Sequence, residues 1–435
     1  MKILNTLLWP FILPLLLLVY LFWPGSRPHF FERLGLGRAR LPRRGTLLFH
    51  AASLGEARAA RRLIEALSGR VPLLLTTMTA TGREALSKAH PEIPVTLAPL
   101  DLPGLWIPFL RSRRVRGILL FETEVWPAML GSARDLGIPV GLVNGRLSSR
   151  SFGRYRKLLR FVRPFFGRLD PVTVQSERDR ERFLALGVRQ EALHLTGNLK
   201  WDADPAVLSP ERAPGAREWL GIGGPETGPL PFRLLGSSVH PEEALALVRA
   251  WQKLSDKGRP VSLILALRHL ETLPALLSRL PPSVGISRRT GSPDPKGKAA
   301  PEGAHPEGTL FLLDTYGELG AVTGLADAVF VGGTLDPVGG HSPVEAAWHG
   351  KPILWGPHRD HIADLALDLS EAGAAIEVRD GEGLPETLAM LGDDPEMRER
   401  MGRAARAVFE ASSGPLARTL AALDPFLEGL SREER

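Results

Sequence analysis

From Thr46 onward, short apolar runs alternate with amphipathic stretches. Thr46–His50 reads as a strand, Gly55–Leu67 as a helix, Val71–Thr76 as a strand and Thr81–Ala89 as a helix. Gly117–Phe121, Pro139–Val143 and Val172–Val174 read as further strands, each followed by a helical pattern. Apolar runs of this length, separated by helices, predict a parallel sheet buried on both faces. The rhythm breaks at Trp201–Pro231, whose Pro and Gly content reads as a linker. It then restarts. Arg233–Gly236, Val261–Ala266, Thr309–Leu313, Asp327–Val331, Pro352–Trp355 and Ala374–Val378 read as strands, with helices at Glu242–Ser255, Tyr316–Gly324 and His361–Ala372. Pro281–Gly308 is polar and reads as a long surface loop. The expected architecture is α/β: two Rossmann-like domains, residues 26–205 and 232–412, joined by a linker at 206–231 and followed by a C-terminal helix at 413–435. Such a pair, facing each other, leaves a cleft between the carboxyl ends of both sheets.

The first segment departs from this rhythm. Ile3–Trp23 is almost wholly apolar, carries no charge after Lys2, and has about the length needed to cross a bilayer. Trp9, Tyr20, Trp23 and Arg27 suit interfacial anchoring. No small-residue cleavage site follows Trp23, so an uncleaved single-span anchor over residues 1–25 is expected rather than a signal peptide. Pro10 and Pro14 would bend it. The arginines that follow predict a cytoplasmic body.

At 435 residues the chain has room for two or three domains. It has no cysteine, which excludes disulfides, thiolate metal sites and cysteine nucleophiles. The net charge is +6, with arginine clusters at Arg38–Arg44, Arg111–Arg116 and Arg150–Arg168. A basic surface suits nucleic acid, anionic lipid or a phosphorylated substrate. No helix-turn-helix, RNP or zinc-finger signature is present, and the arginines accompany an apolar anchor, so no nucleic-acid partner is expected.

Gly332–His358 is the densest stretch of candidate chemistry. A strand runs into glycines, and a Gly-Gly-His-Ser-Pro turn including Gly340, His341, Ser342 and Pro343 opens a short helix with Val344 and Glu345. Glycines allow close backbone approach to a ligand, and a helix start presents N–H groups to an anion. Glu345 is placed to face a ribose hydroxyl. Ser237, Ser238 and His240 follow another strand, Arg268 and His269 a third, and Tyr316, Gly317 and Glu318 a fourth. Four strand ends with polar, ligand-type residues point to a nucleotide site. No Walker-type loop and no HExxH spacing occur, so neither a phosphate-hydrolysing motor nor a zinc site is expected.

Three polar clusters fall at strand ends in the first half: Ala51–Glu56 with Ser53 and Gly55, Glu122–Pro127, and Asn144–Ser148 with Arg146. Glu56 stands at a glycine-led helix start, where it can serve as a general base or as a plain helix cap. Glu122 and Glu124 are two apart, so an extended backbone would put them on one side. They can position a substrate or pair with Arg146 or Arg150. Lys200 can reach a cleft or be a surface lysine.

Assembled, these segments resemble the 3-deoxy-D-manno-octulosonic acid (Kdo) transferases of lipopolysaccharide assembly. The resemblance is carried by Ser53–Glu56, Thr76–Gly82, Phe121–Pro127, Asn144–Ser151, Thr196–Asp202 and Gly339–Ala347, in that order. It implies an inverting GT-B glycosyltransferase at the inner membrane that uses CMP-Kdo as donor substrate, a lipid A precursor as acceptor, and no cofactor or metal. It implies Glu56 as general base, with Glu122 and Lys200 stabilising the transition state. CMP would be held by Arg268, by Tyr316, Gly317 and Glu318, and by Ser342, Pro343, Val344 and Glu345. Leu267, Ser342 and Tyr316 stand where the family often has Pro, Asn and Met. Ser53, Gly55, Glu124, Arg146, Ser237, Ser238, His240, His269, Gly340 and His341 are further candidate donor or acceptor contacts. Another membrane-associated GT-B enzyme, using a UDP-sugar and a lipid-linked acceptor, is the competing reading.

Overall fold

Every apolar run from Thr46 onward that reads as a strand pairs in parallel with its neighbours. The computed structural model describes residues 29–36, 45–102, 104–122, 125–202, 205–222, 231–291 and 309–432. The expected anchor Ile3–Trp23, the cluster Arg38–Arg44, Glu124, and most of the loop expected at Pro281–Gly308 lie outside them. Among the described residues no helix is long and apolar enough to cross a membrane.

The chain divides into two compact units, residues 1–202 with 414–435, and 203–413. In the first, β1 (Thr46–His50), β2 (Leu73–Thr77), β3 (Val95–Leu97), β4 (Val115–Phe121), β5 (Val140–Gly145), β6 (Val172–Val174) and β7 (Leu193–Leu195) form one sheet. Their order is β3-β2-β1-β4-β5-β6-β7. All five residues of β1 are buried, as a central strand covered on both faces requires. Chain direction across the sheet reverses between β1 and β4, so the loops after these two strands part and leave a crevice at their carboxyl ends. The expected helix Gly55–Leu67 is two pieces, α1 (Leu54–Ala59) and α2 (Arg61–Ser68), meeting at Ala60. After β5 come α3 (Ser149–Lys157) and α4 (Leu159–Phe166).

The second unit repeats the plan. It contains β8 (Phe232–Val239), β9 (Val261–Leu267), β10 (Gly285–Arg288), β11 (Thr309–Leu312), β12 (Ala328–Val331), β13 (Ile353–Trp355) and β14 (Ala375–Glu377). The order is β10-β11-β9-β8-β12-β13-β14, with the reversal between β8 and β12. The long helix α5 (Pro241–Ser255) follows β8, and the short helix α6 (Val344–Trp348) follows the glycine-rich loop.

Four expectations need correction. The linker at 206–231 is not open chain: Pro205–Leu208, Pro210–Arg212 and Ala216–Trp219 are helical turns within the second unit. Leu208, Ala213, Ala216 and Leu220 are buried there, and Trp219 Nε1 donates to Ser287 Oγ at 3.1 Å. A few apolar anchors outweigh a Pro- and Gly-rich composition. The loop expected from Pro281 holds β10, because Ile286 is buried and the strand pairs with β11. The helix expected at Tyr316–Gly324 begins only at Leu319, since Gly317 takes a left-handed φ of 86°. The C-terminal helix α7 (Pro415–Arg432) is no separate segment: Leu423, Leu427 and Leu430 share a core cluster with Leu47, Leu119 and Val143 of the first sheet.

Candidate functional site

In the first unit, the carboxyl ends of β1 and β4 carry Glu56 and Glu122. Ser53 caps α1, its hydroxyl accepting from the Glu56 N–H at 3.3 Å. The Glu56 carboxylate folds back, accepting from Ala52 N at 2.8 Å and from Ser53 Oγ at 3.0 Å. Ser53 is thus the N-cap, and the Glu56 carboxylate is fixed over the strand end by the Ala52 N–H and the Ser53 hydroxyl. Glu56 therefore does support the helix start. The same contacts hold it in one orientation. Gly55 lies in the first turn beside it.

Glu122 directly follows β4 with a left-handed φ of 59°, so the extended backbone assumed there is absent at Glu122. Its partner is Lys200, whose Nζ stands 3.2 Å from Glu122 Oε1, rather than Arg150. Both side chains are about one-fifth exposed, 22% and 19%, which is enough access for a ligand and enough shelter to strengthen the pair. Arg146 is half-buried, directly after β5.

Two residues beneath this edge were not singled out as site residues from the sequence. Asn144, at the end of β5 with φ 57°, is fully buried. Its Oδ1 accepts from Leu199 N at 2.9 Å, tying the 3-10 turn Leu199–Trp201 that carries Lys200 to the sheet. Its Nδ2 finds no acceptor among the described residues. The Asn-Gly dipeptide was the available signal, since Asn tolerates the left-handed region. His50, last in β1, is also fully buried. Its Nδ1 lies 3.0 Å from Thr76 Oγ1, whose own hydroxyl points to Phe49 O at 3.4 Å. Thr76 therefore accepts, His50 carries its proton on Nδ1, and Nε2 is a buried lone pair with no partner. Burial, with Arg33 adding repulsion, lowers its pKa to about 3.

The second unit brings its candidates to the ends of four neighbouring strands, β11, β9, β8 and β12. Ser237 and Ser238 lie within β8, which runs on to Val239, rather than after it; Ser237 is buried and Ser238 takes a left-handed φ of 56°. The Gly332 backbone lies so close that a Cβ there would stand 2.4 Å from Ser238 O, so glycine is required. His240 Nε2 meets His341 Nε2 at 3.0 Å, and the His269 ring lies 5.9 Å from that of His240. Arg268 is half-buried after β9; its backbone N–H donates to Val239 O at 3.0 Å, and its guanidinium pairs with no carboxylate among the described residues. Tyr316 is 77% exposed after β11. Glu318, by contrast, already pairs with Arg289 at 2.8 Å. Gly340 closes the turn through its N–H to Gly333 O at 2.7 Å. Pro343 caps α6 rather than opening it, and Val344 is the first helical residue. The Ser342 hydroxyl accepts from Val344 N at 3.2 Å. Burial raises the Glu345 carboxyl pKa, while its own backbone N–H and the Ser342 hydroxyl oppose this.

The organiser of this loop is Glu243, which sequence reasoning also missed. It is buried, and its two oxygens accept four backbone N–H groups. Oε2 takes His240 at 3.0 Å and Gly333 at 2.7 Å; Oε1 takes Thr334 at 2.9 Å and Leu335 at 2.9 Å. One carboxylate thus joins the β8 and β12 loops. The His240–Glu243 capping-box spacing was its signal. Among the described residues no group of three His, Asp or Glu side chains is placed to hold a metal ion.

A family model described as 3-Deoxy-D-manno-octulosonic-acid transferase (kdotransferase) matches residues 28–203. The chain is 33% identical over 415 residues to a 3-deoxy-D-manno-octulosonic acid transferase of Bordetella pertussis, covering 93% of this chain and 92% of the relative. It is 29% identical over 414 residues to the transferase of the same description from Haemophilus influenzae, covering 93% of each. Among solved structures, MurG of Acinetobacter baumannii matches 88% of this chain and 99% of its own with a TM-score of 0.53, a likeness of fold at 15% identity. Two parallel α/β units of this kind make the GT-B fold. On its motifs and its near full-length relatives, the chain is a glycosyltransferase of the 3-deoxy-D-manno-octulosonic acid (Kdo) transferase family.

Proposed function

We propose that this protein moves Kdo from CMP-Kdo to a lipid A precursor, lipid IVA, with inversion at the anomeric carbon, at the cytoplasmic face of the inner membrane. In this reading residues 1–25 anchor the chain. The Glu56 carboxylate takes the proton from the attacking hydroxyl of the acceptor. The hydroxyl oxygen bonds to the anomeric carbon, and the bond to the CMP phosphate breaks, its electron pair leaving with CMP. The Glu122–Lys200 pair stabilises the transition state. Arg268 receives the phosphate beside the Gly332–Val344 loop, and Glu345 takes a ribose hydroxyl. CMP leaves readily as a phosphate monoester, so the mechanism needs no cofactor or metal.

The observation that most supports this reading is the pairing of an oriented carboxylate, Glu56, with the Glu122–Lys200 ion pair on neighbouring strand ends of one sheet. The test is a transfer assay in detergent with lipid IVA and CMP-Kdo generated in situ, read by mass spectrometry. A mass gain of one or more Kdo units is expected, with inhibition by CMP and not by UDP. Absence of product from folded protein, beside a working transferase, overturns the reading.

A further inference from the structure

The residues that follow the first unit's strand edge form a surface no proposed step uses. Residues 151–168 contain six cations, Arg154, Arg156, Lys157, Arg160, Arg163 and Arg168, and no Asp or Glu. All six are exposed, and none forms an ion pair among the described residues. Elsewhere on this unit arginines are commonly neutralised, as Arg61 is by Glu65 and Arg189 by Asp170. A run of like charges without counter-ions raises the local potential, and an anionic partner lowers it.

Apolar side chains interleave with these cations on two sides. Phe152, Tyr155, Leu159, Val162 and Phe165 pack against the core of the sheet. Leu158 and Phe161, three residues apart, do not: they are 52% and 69% exposed. Single exposed apolar residues are ordinary. Leu158, at the junction of α3 and α4, and Phe161, in the first turn of α4, stand among six cations that form no ion pair among the described residues, the composition of an interfacial segment. An aliphatic side chain beside the aromatic favours hydrocarbon over stacked bases as the occupant, since Leu158 has no face on which a base can stack.

We infer that α3 and α4 form an interfacial surface that rests on an anionic lipid bilayer, with Leu158 and Phe161 entering the acyl boundary and the cations contacting lipid phosphates. The inference deepens the membrane-bound reading proposed above. Ser148, the N-cap of α3, follows β5 at the same sheet edge that carries Glu56 and Glu122. Contact there would present that edge to an acceptor held in the bilayer, a placement the N-terminal anchor alone does not fix.

The chain has no cysteine, so single labels are clean. Full-length Phe161→Cys would carry an environment-sensitive fluorophore, with Leu367→Cys, 50% exposed in the second unit, as control. Both would be placed in vesicles containing roughly a third phosphatidylglycerol, with spin-labelled lipid as quencher. Quenching at position 161 and not at 367 is expected. It should fall at least about tenfold with purely zwitterionic lipid, at high salt, or in the triple variant Arg156→Glu, Lys157→Glu, Arg160→Glu. A label at 161 that stays in water on anionic vesicles overturns the inference. So does protection by a polyanionic oligonucleotide with none by lipid. The triple variant should keep its turnover on detergent-dispersed acceptor and lose it on acceptor embedded in vesicles. Lipid quenching without any Kdo transfer would defeat the proposed function and leave this surface standing.

Discussion

The two sheets reverse at equivalent points, β1/β4 and β8/β12, yet they furnish their edges differently. The first offers charged side chains: Glu56 held by the Ala52 N–H and the Ser53 hydroxyl, and Glu122 held by Lys200. The second offers mostly backbone: glycines, strained loop residues and N–H groups, with Arg268 the unpaired charge beside them. The carboxylates also do opposite things. In the first edge they face accessible space and can take part in proton transfer. In the second, Glu243 is sealed inside and spends its oxygens on four amides of the loop. A proton acceptor must move charge and so stays reachable. A loop that is to bind must be held still, and a buried carboxylate holds it through hydrogen bonds in low dielectric.

Removing the two carboxylates should separate these roles. Glu243→Ala leaves four amides without an acceptor and should destabilise the second unit on the order of 4 kcal/mol or more. Glu243→Gln can accept on only one side, so it should lose less stability while still losing CMP affinity. Denaturation and CMP titration in parallel check both. Normal CMP binding in a folded Gln variant would mean that the loop organises itself. Glu56→Gln should do the reverse. It keeps a side chain that can accept from Ala52 N, so stability should change by less than about 1 kcal/mol. Turnover should drop about 10²- to 10⁴-fold through loss of the base. A variant that turns over normally would leave Glu56 as a support of the helix start only.

The acid side of the first edge gives a smaller effect with a definite sign. His50 has an ordinary pKa of 6.5 when unfolded and about 3 when folded. Below about pH 6.5 the unfolded chain gains a proton that the folded chain does not take until near pH 3. Its stability contribution is therefore complete above that upper value and lost as pH falls, by about 2 kcal/mol at pH 5. Hydrogen exchange of the β1 amides at pH 7.5 and 5, in wild type and His50→Asn, measures it. Equal acid sensitivity in both proteins would assign the loss to other groups.

Much of this was legible in the chain. Parallel strands read as near-continuous apolar runs, and Val172–Val174 matches β6 residue for residue because a fully buried strand admits little else. Gly332 and the turn after it were visible because close backbone approach permits no side chain. What stayed hidden depends on distant partners. β3 and β7 are three-residue strands that exist because a neighbour pairs with them. Glu243 fell unremarked inside the expected helix Glu242–Ser255, since nothing local shows that a loop 90 residues on supplies three of its four donors. Glu122 faces Lys200 because its left-handed turn ends the strand, whereas alternation alone assumed extended backbone.

Asn144 sharpens the contrast at its finest scale, because the first edge too needs a part that only holds things still. Its side chain secures the turn bearing Lys200, through Leu199 N, while its φ of 57° favours glycine. Asn144→Gly removes the tether and relieves the backbone, so the two stability effects oppose each other and the fold should survive. Turnover should fall about tenfold, as a loosened catalytic cation costs orientation, with KM for the donor changed less than kcat. Asn144→Asp retains the Oδ1 acceptor and should restore the protection of the Leu199 amide against hydrogen exchange. If the Gly variant exchanges Leu199 faster yet keeps full turnover, Lys200 needs no tether, and the first edge relies on the Glu122–Lys200 attraction alone.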